Sequence, residues 1–387
     1  MADVAIFLSN PGHHVAMLAP VVGVLTGREV SCLVLSLCEL RGFESPFDDF
    51  ERIGAPVQAL WPRWLRRRPA AVQGALGHSA GRRRALLRAL SWHSVLEPAL
   101  RKPLASVRLA ALPNDAAFPY DRIAALLRRR RIPFVLVQEG IRFPIPIEGE
   151  ERYGLAGATA IAAWGEGSAE HFRSIGVESS RIHVTGSPRF DRAPAPQRMD
   201  RRPSGSGSVR ILLVTNPIDA QGFCTRGEKV RLVAEFVGLL RDSLEKGVAR
   251  LTIRPHPGEG IEEYAERLPR EDRDRVAFDT GGGLEDALAR CDVAVVMASS
   301  VGLEALRRGI PLAVLPTPGH GHVFDYVDRG AALGLRLDST LSAALLGHAG
   351  TGGRGAAGAE TYVGRHLAHP GEATKRVAEL MISLAER

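Results

Sequence analysis

The sequence predicts an α/β protein of two Rossmann-like domains facing each other across a cleft, and three observations carry that prediction. Short apolar runs alternate with helix-like stretches in two separate series, the pattern that gives a parallel sheet covered on both faces. A Pro-, Arg-, Ser- and Gly-rich segment, Arg192 to Ser208, divides the two series and contains the flexible run Ser204 to Ser208. At 387 residues and 45% hydrophobic content, the chain exceeds one hydrophobic core and is ample for two. The first domain is therefore placed at residues 1–191, the linker at 192–208 and the second domain at 209–387, with the last helix, about Gly371 to Glu386, packing back onto the first domain.

In the first series, the apolar run Val4 to Leu8 ends in Ser9-Asn10-Pro11-Gly12, which turns the chain into a helix from about Val15 to Leu25. Strands follow at Val30 to Leu35 and Leu109 to Leu112, then a helix over Tyr120 to Arg130 and strands at Phe134 to Val137 and Thr159 to Ala163. A helix from Ser168 to Ile175 and a strand from Ile182 to Thr185 complete it. The second series opens with a strand from Arg210 to Thr215 and a long helix from Lys229 to Glu245. Its further strands are Leu251 to Ile253, Val276 to Phe278, Val293 to Met297 and Pro311 to Leu315, and Gly347 to Gly358 reads as a loose connection.

Four cysteines, Cys32, Cys38, Cys224 and Cys291, show no metal-ligand spacing and imply a reducing, cytoplasmic setting without structural zinc. No apolar run is long enough to span a membrane, and no secretory signal pattern opens the chain. The net charge of +7 is concentrated at Arg63 with Arg66 to Arg68, at Arg82 to Arg84 and at Arg128 to Arg131. No nucleic-acid-binding pattern accompanies the charge, so nucleic acid is not an expected partner. Solvated helix faces account for such clusters, and attraction to an anionic membrane surface or a phosphorylated acceptor is the competing account. For peripheral membrane contact the best candidate is Trp61 to Arg68, where tryptophan stands beside arginine; an ordinary inter-element loop is its alternative.

The groups that carry chemistry stand where strands end, at the edge where open α/β sheets bind ligands. Arg254-Pro255-His256-Pro257 follows one strand, and Ala298-Ser299-Ser300-Val301-Gly302-Leu303-Glu304 follows another. Ser299 and Ser300 open a helix whose unpaired N–H groups and hydroxyls suit a phosphate, though Ser is also an ordinary N-cap. Glu304, one turn later on the face of Ser300, is placed to accept ribose hydroxyls, with an exposed helical carboxylate as the alternative. Arg254 either meets a phosphate or pairs with a carboxylate, and His256 is either a phosphate donor or a structural turn histidine. Thr215 and Asn216 end the first strand of the second domain, where the donor phosphate or sugar would lie. Pro316 to His322 is a glycine-rich loop from which His320 or His322 would reach a sugar or phosphate, or which is simply flexible.

Pro11 to Pro20 is similar to the first strand-loop-helix of the GT-B glycosyltransferase superfamily, and Val184 to Asp191 resembles the segment closing its N-terminal domain. More narrowly, His256-Pro257 with Ser299-Ser300 resembles the HP and SS motifs of bacterial sialyltransferases, Kdo transferases and CDP-glycerol glycerophosphotransferases. The resemblance implies a donor activated by a nucleotide of CMP, CDP or UDP type, with Gly186 near it as in UDP-sugar enzymes. The acidic-acidic-Gly motif that carries the sialyltransferase base corresponds to Gln138-Glu139-Gly140, which has one acidic position.

Glycosyl transfer needs an acceptor hydroxyl deprotonated and a leaving phosphate stabilised. No DxD carboxylate pair stands at a strand end, so neither metal nor cofactor is expected and charge relief falls to protein donors. Glu139 in a water-poor setting would have a raised pKa suited to a general base, unless it pairs with Arg142; His13 or His14 is the other candidate base. Asn114 and Asp115 are placed to meet the acceptor, or form an ordinary turn. The function expected is transfer of a sugar or glycerol phosphate-like group to a glycan, lipid-linked or natural-product acceptor. The alternatives are a UDP-N-acetylglucosamine 2-epimerase-like isomerase and a non-catalytic nucleotide-sugar-binding protein. Epimerases typically carry Asp-Ser-Gly-Gly and Glu-Glu where this chain has Ala298 to Val301 and Glu304-Ala305.

Overall fold

The computed structural model describes residues 2–62, 82–142, 152–191, 207–350 and 358–387, with only the backbone of Arg82 to Arg84. The cluster Arg63 to Arg68, nearly all of the expected linker and most of the loose connection before Gly358 lie outside these residues. Trp61, at the start of the membrane-contact candidate, is buried at 5% exposure, so its ring is not free to enter a headgroup layer. The chain divides into two compact units. One holds the described residues up to Arg142, those of 152–191 and the C-terminal Arg365–Arg387; the other holds 207–350 and 358–364.

The first unit is a seven-stranded parallel sheet of β1 (Val4–Leu8), β2 (Cys32–Ser36), β3 (Val57–Ala59), β4 (Leu109–Leu112), β5 (Phe134–Val137), β6 (Ala160–Ala163) and β7 (Ile182–Val184). Their spatial order is β3-β2-β1-β4-β5-β6-β7. The second is a six-stranded parallel sheet of β8 (Val209–Val214), β9 (Ala249–Arg254), β10 (Val276–Phe278), β11 (Val293–Val296), β12 (Leu312–Val314) and β13 (Leu333–Gly334), ordered β10-β9-β8-β11-β12-β13. In each, strand order reverses at the centre, between β1 and β4 and between β8 and β11. Chains leaving the carboxyl ends there diverge and open a crevice.

Period-two alternation divides β1 between two cores. Val4, Ile6 and Leu8 pack with Met17, Val21 and Leu25 of the helix His13–Gly27 and with Val377 and Met381 near the C-terminus. Ala5 and Phe7 face Leu96, Leu100, Ile123 and Leu127 on the other side. This two-sided burial makes the strands continuous apolar runs.

Where helices start earlier than the apolar pattern indicates, a cap is the cause. The first begins at His13 because Oδ1 of Asn10 accepts from the N–H groups of Gly12 and His13, both at 2.9 Å. The helix Arg226–Glu245 begins three residues before Lys229 because Thr225 and Glu228 form a reciprocal capping box, an arrangement contributing about 1 kcal/mol. The helix Ala373–Ala385 is capped from a distance: the Asp191 carboxylate accepts from the N–H groups of Gly371 (3.0 Å), Ala373 (3.2 Å) and Thr374 (2.6 Å). Opposite charge at the positive end of the helix dipole favours this seat for the C-terminal segment on the first unit. Among the described residues no helix is long and apolar enough to cross a membrane.

Gly165 and Gly186 admit that same segment. A Cβ on Gly165 would collide with the carbonyl oxygen of Arg365, and one on Gly186, whose φ is +83°, with that of Ala368. Gly165→Ala is therefore expected to destabilise the protein by about 1–3 kcal/mol through overpacking. Gly23→Ala, inside the first helix with nothing within 4 Å of the new Cβ, should stabilise by about 0.5–1 kcal/mol through helix propensity. Thermal denaturation of the two variants checks both signs, and a neutral Gly165→Ala would refute the close approach.

Candidate functional site

In the first unit, the loops after β1, β4 and β5 meet at the carboxyl edge beside the switch point. The Asn10 cap holds His13 and His14 in the first helical turn, their ring centroids 5.8 Å apart. The N–H of Ser9 donates to Nδ1 of His14 at 3.0 Å. A neutral His14 ring therefore carries its proton on Nε2, which donates to Oε2 of Glu139 at 2.9 Å. Asn114 accepts from the N–H groups of Ala116 and Ala117 and donates its Nδ2–H to Oε1 of Glu139 at 2.6 Å. Each Glu139 oxygen thus holds one side-chain hydrogen bond. His13 donates Nε2–H to the backbone carbonyl of Glu139 at 2.6 Å, which leaves Nδ1 of His13 as a lone-pair acceptor.

These contacts change the expected roles. Both nitrogens of His14 are committed, so it positions Glu139 and has no lone pair for a substrate. Burial raises the Glu139 carboxyl, but the hydrogen bonds from His14 and Asn114 outweigh it and hold the pKa at about 2. Its side chain keeps 25% exposure, so water moderates the desolvation. The expected upward shift is thereby reversed: the group is a fixed anion. Arg142 lies with its guanidinium carbon 3.7 Å from the Tyr153 ring centroid. His13 is lowered to about 4, chiefly by desolvation and by Arg189, against a pull upward from Glu139. It is neutral near pH 7.

Two supports of this turn escaped the sequence reading. Tyr153 Oη accepts from the N–H of Glu139 at 3.1 Å and donates to the carbonyl of Pro113 at 3.0 Å, joining the loops after β4 and β5. Gln138, fully buried, donates to the Gly140 carbonyl and Ser168 Oγ while accepting from the N–H of Trp164. A carboxylate could not donate twice there, so these contacts fit an amide at position 138. Asp115 turns inward, 2% exposed, to accept from the N–H groups of Gly154 and Ala156; it holds a loop and is not presented to an acceptor.

In the second unit, Thr215 and Asn216 at the end of β8 tie the two flanking motifs together. Thr215 Oγ1 accepts from the N–H of His256 at 3.2 Å and donates to Oε2 of Glu259 at 2.5 Å. Asn216 Nδ2 donates to the Ala298 carbonyl at 2.6 Å, at the head of the serine turn. Oδ1 of Asn216 is buried with no donor among the described residues. The N–H of Gly258 donates to Nδ1 of His256 at 3.1 Å, so the neutral ring offers Nε2–H outward. Desolvation and the Lys229 ammonium lower the His256 pKa, against Glu259.

Beneath His256 lies a charge cluster that the sequence reading missed. Lys229, 2% exposed in its side chain, pairs with Asp219 at 2.9 Å and with Glu259 and Glu263 at 2.8 Å. Three carboxylates outweigh the desolvation that alone would discharge the ammonium and raise its pKa far above the usual lysine value. Glu259, three residues after His256 on its loop, was the available signal.

At the serine motif the helix is Val301–Arg307, and Ser300, its N-cap residue, makes no capping hydrogen bond; Ser299 Oγ accepts from the N–H of Val301 at 3.3 Å instead. Tyr326 Oη accepts from the N–H of Leu303 and donates to the Ser299 carbonyl, both at 3.1 Å, so part of the helix mouth is already satisfied. Glu304 is 7% exposed and is not the solvated helical carboxylate of the alternative. Arg254 donates to Asp279 and to the carbonyls of Gly281 and Gly282, clamping that loop. Gly186 packs against the C-terminal segment at Ala368 and Ala373. His322 bonds the Leu335 carbonyl at 3.3 Å, while His320 is exposed beside Phe223.

Both His13 and Glu139 bind protons less readily in the folded chain than in the unfolded one, so acidification removes their contributions to stability. That of His13 is complete above about 6.5 and is lost as pH falls toward about 4. That of Glu139 is complete above 4.5 and is lost toward about 2. His13→Gln should flatten the decline of the urea midpoint over the upper window and Glu139→Gln over the lower one. Profiles parallel to wild type in both windows would contradict these environments.

No family model and no curated protein matches the chain. Solved structures share its fold. The UDP-GlcNAc 2-epimerase of Methanocaldococcus jannaschii, in complex with UDP-GlcNAc and UDP, aligns with a TM-score of 0.59 at 13% identity, over 98% of this chain and 99% of that one. CalG4, the calicheamicin glycosyltransferase, aligns with a TM-score of 0.59 at 14% identity, over 100% and 99%. The wall teichoic acid polymerase TagF aligns with a TM-score of 0.54 at 12% identity, over 100% and 89%. The likeness is one of fold: two Rossmann-like units, each a parallel sheet with interleaved helices, shared with fold relatives of the GT-B type that include a glycosyltransferase and a UDP-sugar epimerase.

Proposed function

We propose that this chain is a glycosyltransferase that moves a sugar, or a glycerol phosphate-like group, from a nucleotide-activated donor to a hydroxyl of a glycan, lipid-linked or natural-product acceptor. The observation that carries this reading is the free Nδ1 of His13. It is an uncommitted imidazole lone pair at a sheet's carboxyl edge, on a ring anchored through Nε2 to the carbonyl of Glu139. Transfer needs such a base, and a protein that only binds a nucleotide-sugar does not. In the sugar-transfer case the acceptor O–H gives its proton to Nδ1 of His13 as its oxygen bonds to the anomeric carbon. The bond from that carbon to the leaving phosphate oxygen breaks, and its electron pair leaves with the phosphate.

The donor's phosphate is assigned to groups of the second unit. Nε2–H of His256 and the hydroxyls of Ser299 and Ser300 are preorganised donors, each worth about 3 kcal/mol of transition-state stabilisation when well aimed. Thr215 and Glu259 hold the His256 backbone, and Lys229 holds Glu259. Asn216 and Glu304 are assigned to the donor's polar groups, with the orphaned Oδ1 of Asn216 suited to a ligand N–H or O–H. The solved complex with UDP-GlcNAc and UDP supports a nucleotide-sugar as donor class.

A second reading, a UDP-sugar 2-epimerase, draws on the epimerases among the fold relatives. Nucleotide release that requires an added acceptor separates the two, since an epimerase converts the nucleotide-sugar alone. His13→Ala should lower kcat by about 100- to 10,000-fold and His256→Ala by about 100-fold or more, each variant remaining folded at the assay temperature. The kcat/KM profile should fall on acidification near pH 4, where His13 gains a proton. Acceptor-independent conversion, or full activity in His13→Ala, would overturn the proposal.

A further inference from the structure

Opposite the carboxyl edge just described, the amino ends of β4 and β5 border a cavity of about 410 Å3. Leu104, Val107 and Ile132 give it apolar walls, and Arg108, Arg130 and Arg131 line the remainder. Arg108 immediately precedes β4, while Arg130 and Arg131 end the helix Tyr120–Arg129 and lead into β5. Three arginines therefore line one cavity from two separate chain segments.

Among the described residues no carboxylate pairs with them directly. Arg129, next in sequence, pairs with Glu97 at 3.0 Å, but Arg108, Arg130 and Arg131 form no ion pair with any described residue. Asp3, which feels the charge of Arg108, spends Oδ2 on the N–H and hydroxyl of Ser31. Arg130 uses one Nη1–H at 3.4 Å on the Arg101 carbonyl and keeps its other donors. Arginine at a helix C-terminus complements the helix dipole, which accounts for Arg128 and Arg129 in the last turn. It does not account for Arg108, which arrives from another element. Arg131 also holds a φ of +58°, a left-handed position where glycine or asparagine is favoured, so the backbone is not what selects arginine there.

We propose that this cavity binds a ligand carrying two adjacent phosphate groups. Three guanidinium forks match phosphate oxygens in paired hydrogen bonds, and their mutual repulsion in the empty site is relieved by two to three negative charges. Two phosphates side by side are presented by a free polyphosphate and by neighbouring headgroups on a phosphatidylglycerol surface.

The test uses the full chain, with calorimetric titration of inorganic pyrophosphate and tripolyphosphate and co-sedimentation with phosphatidylglycerol or phosphatidylcholine vesicles. Arg108→Gln/Arg131→Asn removes two of the charges and keeps a residue that tolerates the left-handed backbone; Arg108→Gln alone guards against misfolding of the pair. Wild type should bind saturably in at least one anionic arm, more weakly as salt rises. The double variant should bind about tenfold or more weakly with an unchanged thermal midpoint, and the single variant should fall between. Binding of tripolyphosphate assigns a free anion, and binding of phosphatidylglycerol vesicles alone assigns a headgroup. Absence of binding in every arm, or equal binding by wild type and variants, overturns the proposal.

Discussion

The N–H of Ser9 points at Nδ1 of His14, and that contact sets the chemistry of the whole turn after β1. A backbone N–H can only donate, so the imidazole must carry its own proton on the far nitrogen, which faces Glu139. The carboxylate is then held as an anion by His14 and Asn114, and its backbone carbonyl fixes the neighbouring His13 through Nε2. One ring positions and the other is left with a lone pair. The second unit repeats the device: the N–H of Gly258 occupies Nδ1 of His256 and turns Nε2–H outward. A proton acceptor in one unit and a proton donor in the other follow from which ring nitrogen the backbone has taken.

Lys229 extends this logic below the surface. An ammonium removed from water is unfavourable by several kcal/mol unless it is paired and hydrogen-bonded, and three carboxylates supply the pairing. Glu259 faces Lys229 with one oxygen and Thr215 with the other, and it also accepts from the His256 backbone at 3.2 Å. The capping box that starts the helix at Arg226 sets Lys229 in the helix's first turn. A local sequence feature thus bears on the geometry of Glu259, 30 positions beyond Lys229.

The alternation of parallel strands was legible in the sequence because strands covered on both faces must be apolar without interruption, and β1, β4, β5 and β11 are. The candidate positions at strand ends followed from that alternation, including His13, His256, Thr215 and Asn216. Which atoms remained free did not. Arg254 and His256 lie two residues apart, yet one faces a carboxylate and two carbonyls while the other presents an N–H. Glu139 was expected to gain a proton in a dry site, but its two side-chain donors come from loops 25 and 125 residues away. Gly186 sits in a segment that resembles donor-binding enzymes, and a residue 182 positions later fills the space beside it. Contacts that distant leave no periodicity in the chain.

The uncommitted Nδ1 of His13 is tested most directly by long-range 15N–1H correlation NMR of the imidazole rings at neutral pH. The account predicts that the unprotonated nitrogen of His13 is Nδ1 and that its proton sits on Nε2. A ring protonated on Nδ1, or doubly protonated at neutral pH, would contradict it.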